Sequence, residues 1–215
     1  MNLGENPWIL IGFMFFELLF IIVPIKISAK VEKKRFSDIL KEIGFKYENE
    51  HYSKKILKIF SGISLGVFFY FIGGYIIFFF RNIIVENIFG TTFVKTGEKG
   101  AIETSPVKPN IIQLVIIIIL EFLLVAICEE AFFRGFLLTK LANKMKKCNA
   151  VIISSIFFAI YHVPPFIVPI ATIITYFGYF FSFGVLLSLI LYLFKGSLIP
   201  CIFAHGFFNV LIIIL

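Results

Sequence analysis

The sequence predicts an all-α fold, a polytopic transmembrane bundle of six to seven helices enclosing a polar intramembrane site. Three observations carry that prediction. Of the 215 residues, 60% are hydrophobic and 18% aromatic. Only 15% are charged, against roughly a quarter in an ordinary soluble domain. The apolar residues, mainly Ile and Phe, fall into runs that approach or reach the ~20 residues a spanning helix needs.

The first run, Trp8 to Ile25, follows no basic stretch and precedes no small-residue cleavage site, so it reads as a retained helix rather than a signal peptide. Lys26 to Lys58 then carries ten Lys/Arg against five acids. Within it, Phe36 to Phe45 sets apolar residues at helical spacing, which predicts a short amphipathic helix on the membrane face. A second apolar segment covers Ile59 to Phe80. The stretch Arg81 to Pro109, with four basic and three acidic residues and much Gly and Thr, reads as an external loop.

A third segment runs from Ile111 to Leu138 and holds Glu121, Glu129, Glu130 and Arg134. After the basic cluster Lys140, Lys144, Lys146 and Lys147, a fourth segment spans Asn149 to His162 and stops at Pro164-Pro165. Residues 166–194 form one tilted helix or two shorter ones hinged near Gly178 or Gly184. The last segment, Ser197 to Leu215, carries His205 and Asn209. The chain thus divides at about residue 110, with N-terminal helices and a basic loop in 1–110 and a polar-studded helical core in 111–215.

The formal net charge is +7, but its placement argues against a nucleic-acid partner. Both basic clusters sit between apolar segments, where positive charge marks the cytoplasmic side and anionic lipid headgroups supply counter-ions. Alternation of segments then puts the N-terminus outside. The three cysteines, Cys128, Cys148 and Cys201, form no CxxC pair, and no disulfide is inferred.

Ionisable groups inside spanning helices cost about 2.5–3.5 kcal/mol each at the helix centre, so they are candidates for function. Glu130 and Arg134 lie four apart on one helix face and can pair. Glu129 is rotated about 100° from that face and stays available. Glu129 and His162 are equally distant from the basic turn near residues 145–146, so an antiparallel hairpin brings them to the same depth. His205 and Asn209 share one face of the last helix, at a compatible depth. These residues predict one polar pocket, opening on the side of the basic turns. Glu17 and Glu121 belong to no paired constellation, and Tyr161 reads as a packing or lipid-facing residue.

Glu129-Glu130-x-x-x-Arg134, Phe158-x-x-x-His162 and His205-x-x-x-Asn209, in that order within hydrophobic helices, resemble the CPBP intramembrane proteases, which include the CAAX proteases and bacteriocin-processing enzymes. The resemblance covers Glu121 to Leu215. It implies a membrane endopeptidase that cuts near the C-terminus of a peptide or lipidated protein. Carried across, Glu129 and His162 would activate water, His205 and Asn209 would hold the oxyanion, and Glu130-Arg134 would brace the site. The family is often labelled a metalloprotease, and Glu129, His162 and His205 could ligate a divalent metal such as zinc. Glu129 cannot readily be ligand and base at once, so the reading leans to a metal-free glutamate mechanism. Two other classes compete. A proton- or ion-coupled carrier would use the carboxylates as a relay, although no inverted repeat is visible. A non-catalytic bacteriocin-immunity protein has no need of complete motifs.

Overall fold

The computed structural model describes residues 2–44 and 51–215, so positions 45–50 of the first basic stretch, including the end of the expected amphipathic segment at Phe45, lie outside the described residues. Among the described residues the chain is helical, without strands beyond one isolated bridge from Asn2 to Glu103. Eight helices follow one another among those residues: α1 (Pro7–Glu32), α2 (Phe36–Glu42), α3 (Tyr52–Phe89), α4 (Thr91–Lys99), α5 (Ile111–Ala142), α6 (Lys147–His162), α7 (Ile170–Leu193) and α8 (Ile199–Ile214). Four of them, α1, α3, α5 and α7, are long and apolar enough to cross a bilayer, and α6 and α8 are shorter apolar helices of 16 residues. Among the described residues the apolar helices therefore number six.

Several boundaries differ from the sequence expectation, each for a local reason. Helix α1 runs on past Ile25 because nothing between Lys26 and Glu32 breaks it, and long Lys stems extend along apolar surface while their ammonium groups reach water. It ends where Lys33 turns left-handed at φ 52°. Arg81 does not end the second segment. The α3 helix widens into a π-type stretch over Phe79–Val85 and continues to Phe89, and Arg81 pairs with Glu98 of α4 at 2.9 Å. The expected loop is thus helical up to Lys99 apart from Gly90, whose φ of 84° suits glycine.

Residues 166–194 hold a single helix, α7, which passes through Gly178 and Gly184 without a hinge. Both glycines are packing notches. A Cβ on Gly184 would sit 2.9 Å from Ser155 Cα of α6, and one on Gly178 would strike the Phe80 ring of α3. Helix α6 stops at His162 because Val163 precedes a proline and is pushed out of the helical region, to φ −126°, ψ 68°.

The main core joins α3, α5, α6, α7 and α8 around Phe69, Phe133, Phe158, Phe183, Leu187 and Phe208. Gly62 and Gly66 let α3 lie directly along α8: a Cβ on Gly62 would meet Pro200 O at 2.8 Å, and one on Gly66 would meet Ala204 O at 2.7 Å. Small residues four apart at a helix crossing are the usual means of close approach in a membrane. On the basic side, α2 buries Ile39 and the adjoining Ile43 against Ile25 of α1, as an amphipathic helix should. There Lys140 of α5 pairs with Glu32, at the end of α1, and Lys34 bridges Glu32 and Glu42.

Candidate active site

Helix α5 is irregular where it carries its polar residues. It is π-type over Glu121–Val125, regular over Ala126–Glu130, and π-type again over Ala131–Leu138. Widened turns of this kind are often found at functional sites, because they re-aim side chains and free backbone carbonyls. One freed carbonyl, that of Phe133, accepts a hydrogen bond from the Ser154 hydroxyl of α6 at 2.9 Å, which ties the two helices together.

Glu130 and Arg134 form the expected pair across that turn, at 2.9 Å, with side chains 0% and 1% exposed. The guanidinium lies over the Phe158 ring, 4.3 Å from its centroid. Glu130 does more than brace Arg134. The same Glu130 oxygen accepts from His205 Nδ1 at 2.8 Å, so the pair also orients an imidazole on α8.

Glu129 points the other way, as its rotation from Glu130 requires. Its Oε2 lies 3.8 Å from His162 Nε2 and 3.9 Å from His205 Nε2, and it has no hydrogen-bond partner of its own. Those separations exceed direct hydrogen bonds and suit a bridging water. The His162 ring lies between Phe158 (centroids 4.3 Å apart) and Phe180 (4.5 Å apart). Its Nδ1 meets the Phe158 carbonyl at 2.9 Å. A carbonyl can only accept, so Nδ1 carries the proton and Nε2 turns a lone pair toward Glu129.

Asn209, one turn beyond His205, lines the same cavity and donates through Nδ2 to Glu121 at 3.0 Å. Glu17 and Tyr161 line it as well and are hydrogen-bonded to one another. Tyr161 is therefore not a lipid-facing residue, and Glu17 and Glu121 each have a partner. The signal for these two carboxylates was present in the sequence, as charge within apolar helices. Their partners lie 144 and 88 residues away along the chain, beyond the reach of any local spacing.

The cavity measures about 520 Å³ and runs from Glu129, His162 and His205 to Leu3, Ile102, Thr104 and Ser105. It therefore lies toward the end of the bundle opposite the Lys140–Lys147 turn, not toward the basic side as expected. The reason is the length of α6. Sixteen residues rise about 24 Å at 1.5 Å each, so the helix stops short of a ~30 Å core and leaves His162 at its far end, with Pro164 in the cavity wall.

Glu129, His162 and His205 converge on the cavity. Among the described residues no group of three His, Cys, Asp or Glu side chains is arranged to hold a metal ion. The metalloprotease label thus finds no support in the donor set as placed.

Residues 111–211, just under half of the chain, match the family described as type II CAAX prenyl endopeptidase Rce1-like. No curated protein and no solved structure matches the chain. The matched segment opens with α5 and closes within α8, so it takes in all three motifs and leaves α1 to α4 outside. Over that segment this multi-pass membrane protein is similar to the Rce1-like type II CAAX prenyl endopeptidases, a likeness that supports a membrane endopeptidase.

Proposed function

We propose that the chain hydrolyses a peptide bond by a glutamate- and histidine-activated water, within a catalytic unit formed by residues 111–215. The observation that carries this reading is the Glu129 oxygen, unpartnered and buried, facing two imidazole nitrogens at 3.8 and 3.9 Å. A water held between Glu129 and His162 donates one hydrogen to each acceptor, which turns an oxygen lone pair toward the cavity. As that oxygen adds to a substrate carbonyl, Glu129 takes the proton. The carbonyl oxygen becomes an oxyanion, and the second Nδ2 hydrogen of Asn209 is available to it. His205, when protonated at both nitrogens, donates to Glu130 through Nδ1 and to the oxyanion through Nε2. Donors aimed in advance at developing charge are usually the largest catalytic contribution.

The substrate class is a peptide or prenylated protein presented from the bilayer. The N-terminus lies outside and the Lys140–Lys147 turn inside, in contact with anionic lipids. No step above passes through a metal, and cleavage is expected to continue in the presence of a chelator.

The test uses the full-length protein in liposomes and a farnesylated peptide ending in a CAAX tetrapeptide, with fluorophore and quencher on either side of the scissile bond. Glu129→Gln keeps the shape and removes the base, so turnover falls by about 10²–10⁴ while the protein stays folded. A folded Glu129→Gln protein that cleaves at the wild-type rate would remove Glu129 from the mechanism. A wild-type protein that never cleaves, yet moves protons or ions across the vesicle in a Glu129-dependent way, would favour the carrier.

A further inference from the structure

We propose that α1, outside the family-matched segment, supplies a further catalytic residue: Glu17, the general acid that protonates the leaving amine, held in place by Tyr161. The proposal rests on the endopeptidase reading above.

Three observations support it. Glu17 closes a tight 3-10 turn, Phe15–Glu17, in the middle of α1, where a departure from regular helix aims its side chain into the bundle. One carboxyl oxygen of Glu17 accepts from the Tyr161 hydroxyl, and the other is buried without a protein partner. Glu17 also lines the same cavity as Glu129, His162 and His205.

The remaining groups in the cavity fit this role. Facing Glu17 are Glu121 and Glu129 from α5, Tyr161 and His162 from α6, and His205 and Asn209 from α8. No lysine or arginine is among the described lining residues; Arg134 is bound to Glu130, on the other face of α5. Two carboxyl groups in one largely apolar cavity, with no lysine or arginine among its described lining residues, share a proton, and that sorts them into an acid and a base. Glu129 faces the imidazole nitrogens and is the base. Glu17, with a free oxygen in the cavity, is the acid.

The step balances. The water oxygen bonds to the carbonyl carbon and its proton passes to Glu129. The C–N bond then breaks with its electron pair on nitrogen, and that nitrogen takes the proton of Glu17. A carboxylic acid and an amine leave, and a proton returns from Glu129 to Glu17 through cavity water.

The leaving group provides the test. An amine departs only when protonated, whereas a thiolate departs unaided. The farnesylated CAAX peptide is compared with its thioester analogue, in which sulfur replaces the scissile nitrogen. Glu17→Gln should lower kcat on the amide by about 10²–10⁴ with KM little changed, and lower it far less on the thioester. Tyr161→Phe, which removes only a hydroxyl, should show the same split at smaller size, and it carries the test should Glu17→Gln fail to fold. Equal losses on both substrates, or an unchanged amide rate, would overturn the assignment. Glu129→Gln should lose both substrates. If it does so while Glu17→Gln keeps the amide, only the acid is wrong. If the wild type cleaves neither, the endopeptidase reading itself falls.

Discussion

Glu129 and Glu130 are adjacent in sequence and have opposite surroundings. Glu130 is bound to Arg134 and His205, and Glu129 keeps an oxygen with no protein partner. Removing each pair's members should therefore have different consequences. Arg134→Ala strands a fully buried carboxylate and withdraws the cation beside His205. Breaking a buried ion pair costs about 3–5 kcal/mol, so thermal stability in detergent should drop together with activity. Arg134→Lys keeps the charge but loses the planar guanidinium over Phe158, and should recover only part of both. An Arg134→Ala protein as stable as wild type would show that the pair is not what holds α5 at this point.

The helices make the site through two devices, widened turns and small residues. The π-type turns of α5 flank Glu129 and Glu130 and set their directions, while Ser154 of α6 binds a backbone carbonyl of the second turn. The α3–α8 contact fixes the position of His205 and Asn209 from behind. Gly66 contacts the backbone at Ala204, immediately before His205. Gly66→Leu should force α8 away. Overpacking costs about 1–3 kcal/mol, and activity should fall further than stability because His205 leaves Glu130. Gly74 has nothing within 4 Å of its added Cβ, so Gly74→Leu is the control and should leave melting temperature and turnover unchanged. Equal effects of the two substitutions would argue against a close α3–α8 contact.

At the scale of the whole molecule, charge and cavity lie at opposite ends. The basic turn and its ion pairs with α1 and α2 sit at one end, and the cavity extends to Leu3 and residues 102–105 at the other. The proposed topology puts the basic end in the cytoplasm. Lys99 and Lys144 are both exposed, at the two ends. In a Cys148→Ser background, Lys144→Cys should react with an impermeant maleimide only from the cytoplasmic side, and Lys99→Cys only from outside. The opposite pattern would invert the orientation and put the cavity's Leu3 end on the cytoplasmic side.

The sequence by itself determined the class, a count of six to seven apolar helices and the three motifs, because burial in lipid writes its requirement into composition and run length. It also paired Glu130 with Arg134 and set Glu129 opposite His162, since one relation is local and the other follows from equal distance to a turn. Tertiary structure decided what depends on contacts between distant segments. It joined Glu17 to Tyr161 and Asn209 to Glu121, tied His205 to Glu130, and kept α7 continuous because its glycines face neighbouring helices. It also set the direction of the cavity, which follows from where α6 stops and what packs beyond it. Hydropathy reports how deep a segment lies; it carries no record of which face meets which neighbour, and the partners of buried polar groups are chosen there.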